Sequence, residues 1–121
     1  MVDTVKSETV RALAEFIEEH QGDGTIALDI SEQSSWTDFF VITTVRSKTH
    51  MRGLVRYVKE FLQQRDISEM RRHKKISDDG WMLIDCGDVV IHLMEQDVRE
   101  FYELERLWFA GKVIYQSSKS S

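Results

Sequence analysis

The sequence contains no proline, so its turns rest on glycine and small polar residues, and nothing indicates a rigid linker or a domain boundary. Its one cysteine, Cys86, excludes an intramolecular disulfide and a multi-cysteine zinc site, and favours a reducing compartment. There is no long apolar run, and Asp3, Lys6 and Glu8 argue against a signal peptide. We therefore expect a soluble, cytoplasmic protein.

Basic residues are also in the minority. The chain of 121 residues has 21 acidic and 16 basic side chains, a net charge of -5. Such a protein is a poor general binder of phosphate backbones but suits a basic protein partner. The length and the hydrophobic content of 41% predict one globular domain over residues 1–115, followed by a disordered serine-rich tail over residues 116–121.

The most informative stretch is residues 81–94. Two short runs rich in Val, Ile and Leu flank Asp85 to Asp88, a pattern that predicts a β-hairpin with Gly87 in the turn. The loop is either Gly87-Asp88 or Cys86-Gly87, and both choices leave the same residues on each face. One face is then apolar. The other is mixed and carries Trp81, Leu83, Asp85, Val90, His92 and Met94.

The rest of the chain predicts helices and strands that build a sheet around this hairpin. After a first helix, residues 25–31 alternate as a half-buried strand, and residues 39–45 form an uncharged strand typical of a sheet centre. A long amphipathic helix covers residues 51–62, an edge strand lies within residues 67–76, and a final helix covers residues 98–108. We expect a single α/β domain, with a mixed sheet of about five strands flanked by helices.

Asp85, Asp88 and His92 are the candidates for a metal or acid–base site, as in a metal-dependent nucleotidyl or phosphotransfer enzyme. The spacing supports this alternative poorly, because Asp88 lies in or beside the turn, where aspartate commonly bonds the local backbone. His92 alternates with apolar neighbours, which is typical of a half-buried histidine. The sequence also has no Gly-rich phosphate loop and no nucleophile elbow. We expect no catalytic site, no metal and no cofactor.

A basic segment offers a third interpretation, an RNA-binding module. It contains Arg71, Arg72, Lys74 and Lys75, and further cations start the second long helix. On an edge strand such charges also protect against aggregation, and no aromatic residues are interleaved with them. Edge protection is favoured, and an RNA contact stays open.

Tryptophan at position 81 starts a strand on the mixed face, next to the acidic Asp78 and Asp79. Because Trp, Tyr and Arg dominate interface hot spots, we expect Trp81 to lie in a protein interface. For Trp108, on the final helix, the prediction is a core position.

Three stretches of the sequence resemble a known protein family. Residues 80–94, Gly-Trp-Met-Leu-Ile-Asp-Cys-Gly-Asp-Val-Val-Ile-His-Leu-Met, resemble the signature hairpin of the ribosomal silencing factor (RsfS) or Iojap-like family. Residues 99–108 are similar to its closing helix, and residues 34–42 with Ser47 and His50 resemble its first half. The chain departs from the family pattern at Val45, where glycine is usual, and at residues 72–75, where an acidic segment is common.

The resemblance implies a nucleotidyltransferase-like fold without that fold's catalytic elements. It implies a non-enzymatic factor that binds the large ribosomal subunit through its ribosomal protein fourteen, blocks joining of the small subunit and represses translation. It also implies a homodimer in the free state, while a minor rRNA contact is an expectation from the charge of the basic segment itself. The partner-binding residues carried over are Trp81, Met82, Asp85, Asp88, Tyr102 and Glu105.

Overall fold

The computed structural model describes residues 6–69, 74–77, 80–107 and 111–117, without the side chains of residues 74–77, 105 and 107. Helices and strands follow one another in an α/β order, with the longest helix in the first half of the chain. The elements are α1 (Ser7–Glu19), β1 (Asp23–Asp29), β2 (Phe39–Val45), α2 (Lys48–Gln64), β3 (Lys74–Ser77), β4 (Trp81–Asp85), β5 (Val89–Glu95), α3 (Gln96–Tyr102), α4 (Leu104–Leu107) and β6 (Lys112–Gln116).

The strands form one six-stranded sheet in the order β3-β4-β5-β2-β1-β6. The β2–β5 pair is parallel and every other pair is antiparallel, so the sheet is mixed. This confirms the prediction of a single α/β domain with a mixed sheet. The sheet has one strand more than the expected five, because β6 returns to pair with β1.

The centre and one edge of the sheet lie where the sequence predicts them. All seven residues of β2 are buried, in agreement with the uncharged pattern of this strand. α2 follows β2 directly, and the chain re-enters the sheet so that β5 runs parallel to β2. β3 is an edge strand. Of the basic segment, Arg71 and Arg72 lie outside the described residues.

The hairpin uses the first of the two possible turns. The Cys86 amide donates to the Val89 carbonyl oxygen at 2.9 Å, so the two loop residues are Gly87 and Asp88. Gly87 has a φ of 85°, a conformation that L side chains rarely adopt. Ile84 consequently pairs with Ile91 across the strands.

The two faces of the sheet are covered by different helices. On the first face, the apolar side of α1 and α2 packs on the hairpin residues predicted to be apolar, including Ile84 and Ile91. The predicted apolar residues of α2 are all buried. On the second face, Val98 of α3 and Leu104 of α4 pack with Trp81, Val90 and other residues of the mixed face. The predicted sorting of the hairpin side chains onto two faces is confirmed.

The final helix is not continuous, which corrects the expectation for residues 98–108. Glu103 has a φ of 51° and a ψ of 52°, a left-handed conformation that ends α3 before α4 begins. In a continuous helix, the separation of six positions between Val98 and Leu104 would correspond to about one and two-thirds turns, and the two side chains would point in different directions. The break brings both into the same cluster. Trp108 lies outside the described residues.

The C-terminal part of the chain takes part in the sheet as far as Ser117. Gln116 ends β6, and the Ser117 amide donates to the Thr25 carbonyl oxygen at 2.8 Å. The first residues of the predicted tail are thus ordered, while residues 118–121 lie outside the described residues. In the part of the chain that the structure describes, no helix is long and apolar enough to cross a membrane.

Candidate functional site

Six aromatic rings form a continuous row across the second face of the sheet. Neighbouring rings in this row have centroids 4.7 to 5.9 Å apart. The row crosses three adjacent strands, β2, β5 and β4, and ends on a loop at one side and on α3 at the other. In order, this aromatic row consists of Trp36, Phe40, His92, Trp81, Tyr102 and Phe101.

The row is buried in its middle and exposed at both ends. Phe40 and His92 are buried, and Trp81 is only 9% exposed. By contrast, Trp36 is 56%, Tyr102 45% and Phe101 78% exposed. Large aromatic side chains with this exposure, anchored on rings that are held in the core, are preorganised for contact with another molecule.

A buried hydrogen bond fixes the centre of the row. The Trp81 indole Nε1–H donates to His92 Nδ1 at 3.1 Å. Since indole nitrogen can only donate, Nδ1 accepts and the proton of the neutral imidazole lies on Nε2. Burial lowers the pKa of His92 to about 4, so the ring is neutral at pH 7. His92 Nε2 is buried, and no group among the described residues bonds to it.

Acidic residues gather where the row approaches the hairpin turn. The Asp38 and Phe39 amides both donate to the Asp88 carbonyl oxygen, at 3.1 and 3.0 Å, which ties the start of β2 to the turn. Asp85 Oδ1 accepts from the Gly87 amide at 2.9 Å. No lysine or arginine occurs between residues 76 and 98, so the surroundings of the hairpin turn carry mainly negative charge.

The predicted contact residues separate into three groups. Trp81 and Tyr102 are in contact in the aromatic row, with tilted rings whose centroids lie 4.8 Å apart, and Asp85 and Asp88 lie at the turn, half-buried. Met82 instead points to the opposite face and is buried in the cluster under α1 and α2. Glu105 lies in α4, with its side chain outside the described residues.

Trp81 is less exposed than its place on the mixed face suggests. The Tyr102 ring contacts the indole and His92 accepts from its N–H, so most of the Trp81 side chain lies within the fold; its place in a protein interface stays a prediction. Of the three exposed members of the row, Tyr102 is a predicted contact residue, whereas the sequence did not indicate Trp36 or Phe101 as site residues. In the sequence, Trp36 is a lone tryptophan in a polar loop, and Phe101 fits the apolar pattern of a continuous final helix.

The metal-dependent alternative finds no support in the geometry. Asp85, Asp88 and His92 do not form a cluster, and no group of three or more His, Cys, Asp or Glu side chains in the described ranges could hold a metal ion. Trp81 occupies Nδ1 of His92, and Gly87 occupies one oxygen of Asp85. Burial, with the charges of Glu69 and Asp85, raises the pKa of the Cys86 thiol to about 12, so it is protonated and a poor nucleophile at pH 7.

Comparison with known proteins decides the family. The family model described as ribosomal silencing factor during starvation matches residues 3–121, nearly the whole chain. The chain belongs to the ribosomal silencing factor family. The resemblance seen in the hairpin and the closing segment is thereby confirmed.

Curated relatives and solved structures agree with this family. The ribosomal silencing factor RsfS of Treponema pallidum is 33% identical over 98 residues, which cover 80% of this chain and 86% of that protein. The mouse protein named mitochondrial assembly of ribosomal large subunit protein 1 is 36% identical over 84 residues, 67% of this chain but 36% of the mouse protein. A crystal structure from Chromobacterium violaceum superposes with a TM-score of 0.76 at 27% identity, covering 94% of this chain and 91% of the other.

Proposed function

We propose that this ribosomal silencing factor binds the large ribosomal subunit through its ribosomal protein fourteen. Bound there, it occupies the face where the small subunit docks, prevents the two subunits from joining and represses translation. It acts by steric exclusion in the cytoplasm and carries out no chemical reaction. The printed name of the mouse relative, which refers to assembly of the large ribosomal subunit, supports the choice of subunit.

The observation that carries the proposal is the aromatic row with its exposed ends. Exposed Trp and Tyr side chains dominate protein interface hot spots, and the buried middle of the row holds these ends in place.

Charge supports a basic protein as the partner. Ribosomal proteins bind RNA and are accordingly rich in Lys and Arg. The acidic side chains at Asp38, Asp85 and Asp88 complement such a surface, and opposite potentials speed association. With Met82 buried on the other face, the docking surface that we propose is centred on Trp36, Tyr102 and Phe101, with Asp85 and Asp88 at its edge.

Co-sedimentation with purified large subunits tests this surface. Phe101→Ser and Trp36→Ser remove the exposed rings at opposite ends of the row, and each is expected to weaken binding by a factor on the order of 30, as for a typical hot spot. Both positions are exposed, so the variants should fold normally. Val113→Ser is the matched control, because Val113 is 55% exposed on β6 and lies outside the row.

A subunit-joining assay separates the docking site from the function. Wild-type chain added to equal amounts of both subunits should lower the fraction of joined ribosomes. The Phe101→Ser variant, added in its place, should leave that fraction close to its value without any factor. Failure of the wild-type chain to pellet with large subunits would rule out the proposed function. Pelleting that is equally strong for all three variants would instead place the docking surface elsewhere.

Two further parts of the proposal rest on the sequence alone. These are a homodimer in the free state and a minor rRNA contact through Arg71, Arg72, Lys74 and Lys75. Sedimentation equilibrium of the free chain tests the first, with a mass of about twice the monomer's 14.2 kDa as the expected result.

A further inference from the structure

α2 presents a row of exposed cations on an otherwise acidic protein. Lys48, Arg52 and Arg56 follow one another at intervals of four residues, which places them along one side of the helix. All three are exposed, whereas the opposite side of α2 is buried against the sheet. Arg46 lies just before the helix, and no acidic residue occurs between it and Glu60. We call Lys48, Arg52 and Arg56 the basic stripe.

The charges of the basic stripe are not used within the described part of the chain. None of the three residues forms an ion pair there; Arg52 donates only to Thr49 Oγ1 in its own helix, at 3.5 Å. By comparison, Arg11 pairs with Glu15 at 3.7 Å and Arg106 with Glu103 at 2.8 Å. The stripe therefore keeps its guanidinium and ammonium groups available for a partner.

Two features of α2 lower its own stability at the same place. Cations in the first turns oppose the helix dipole, and the first turn contains no acidic residue to offset them. Gly53, a weak helix former, lies between Arg52 and Arg56, and a Cβ atom built there would meet nothing within 4 Å. Packing within this chain does not require glycine at this position. Residues that lower the local stability of the fold are typical of binding sites.

We propose that the basic stripe binds the phosphate backbone of RNA, with Gly53 allowing the backbone to approach α2 closely. Arginine suits phosphate because its guanidinium donates in a fixed, two-pronged geometry. An acidic protein partner is less favoured, since protein interfaces have an apolar centre and Tyr57 is the one large apolar side chain exposed on α2. α2 covers the first face of the sheet, so the stripe is separate from the aromatic row on the second.

Choosing RNA over DNA rests on the proposed function, but the phosphate-binding surface does not. Fluorescence anisotropy with a short A-form RNA duplex measures it without ribosomes. Binding by the wild-type chain should weaken steeply between about 50 and 200 mM KCl, with a slope that reflects about 0.9 ions released per phosphate contact.

Replacing the stripe should remove that response. The slope is that of the logarithm of the binding constant against the logarithm of the salt concentration. In Lys48→Gln/Arg52→Gln/Arg56→Gln its magnitude is expected to fall by about 2 to 3, and the affinity at low salt by about tenfold or more. The control Lys6→Gln/Arg11→Gln/Lys112→Gln changes the net charge equally at three exposed positions. Equal losses in both triple variants, or no duplex binding by the wild-type chain, would overturn the proposal.

A steric variant tests the role of Gly53 without changing charge. Gly53→Leu fills space that is open in the free protein and should weaken duplex binding several-fold. Gln63→Leu places the same side chain at an exposed position near the end of α2 and should leave binding unchanged. Unaltered binding by Gly53→Leu would show that RNA does not approach this part of α2. If the wild-type chain fails to pellet with large subunits yet binds the duplex through the stripe, the proposed function fails and the phosphate surface stands.

Discussion

His92 shows how much a single side chain at the middle of the aromatic row depends on its surroundings. The sequence predicts a half-buried histidine among apolar residues; in the structure the ring is buried, accepts from Trp81 and packs against Phe40. The alternative role as a metal ligand required a free nitrogen facing two carboxylates. Nδ1 of His92 accepts a hydrogen bond from the Trp81 indole on the paired strand. The spacing of residues along the chain does not predict this hydrogen bond.

Acid should destabilise the fold through His92. Its pKa is about 4 in the folded chain and 6.5 ordinarily, so the unfolded chain binds more protons between these values. The stabilisation is complete above pH 6.5 and is lost as the pH falls towards 4. Since one pKa unit corresponds to about 1.4 kcal/mol, the free energy of unfolding should fall by roughly 3 kcal/mol across this window.

Urea unfolding at a series of pH values measures this effect. His92→Asn keeps an acceptor near the position of Nδ1 but does not titrate, so it should flatten the pH dependence. Val113→Asn adds the same side chain at an exposed position and should leave the dependence intact. A wild-type curve that is flat from pH 7 to pH 4.5 would contradict the assignment.

Among the elements, α2 follows its sequence pattern most closely. Its buried residues recur with helical spacing, and the Ser47 hydroxyl accepts from the His50 amide at 3.0 Å, as an N-cap should. The closing segment was harder to predict. Its apolar residues fit a continuous helix, but Glu103 adopts a left-handed conformation because Val98 and Leu104 both pack in the second cluster. Tertiary packing outweighs helix propensity at that residue.

Two glycines should respond oppositely to alanine. In Gly53→Ala the new Cβ meets nothing, and α2 should gain about 1 kcal/mol of stability from the lower entropy of the unfolded chain. In Gly22→Ala the new Cβ would lie 2.6 Å from both Ile17 Cγ2 and Thr43 Oγ1, so the stability should fall. Denaturant unfolding of both variants checks the signs, and a destabilised Gly53→Ala would contradict the open site.

At the scale of the whole molecule, the hairpin and α2 differ in charge. The net charge of -5 describes neither of them: the hairpin side has no lysine or arginine between residues 76 and 98, whereas α2 carries the basic stripe. A prediction from net charge alone favours a protein partner over RNA. α2 concentrates cations in the basic stripe while the hairpin turn is acidic, so one small domain presents two different surfaces.

The C-terminal strand should decide whether the domain folds. β6 pairs with β1, packs beside α1 and continues into the hydrogen bonds of Ser117 with Thr25 and Glu18. Deleting residues 112–121 removes those contacts and should lower the free energy of unfolding by more than about 3 kcal/mol, given the several backbone hydrogen bonds lost. Deleting residues 118–121 alone should change it by less than about 0.5 kcal/mol.

Thermal and urea unfolding of the two truncated chains make the comparison. If neither deletion lowers the free energy of unfolding relative to the full chain, β6 is dispensable. If both deletions lower it by the same amount, the last four residues belong to the domain. The expected division at residue 115 would then move to the position that the measurements support.

By itself, the sequence determined the elements whose information is local. Hydrophobic period, capping and the glycine turn predicted the central strand, α2 and the two faces of the hairpin, because each depends on residues close together in the chain. Only the tertiary structure decided what is exposed on those faces. Tyr102 covers Trp81, Met82 is buried beneath helices, and Trp36 and Phe101 become the exposed ends of a row of rings. Burial and charge separation depend on contacts between residues far apart in sequence, so they are fixed only when the sheet is assembled.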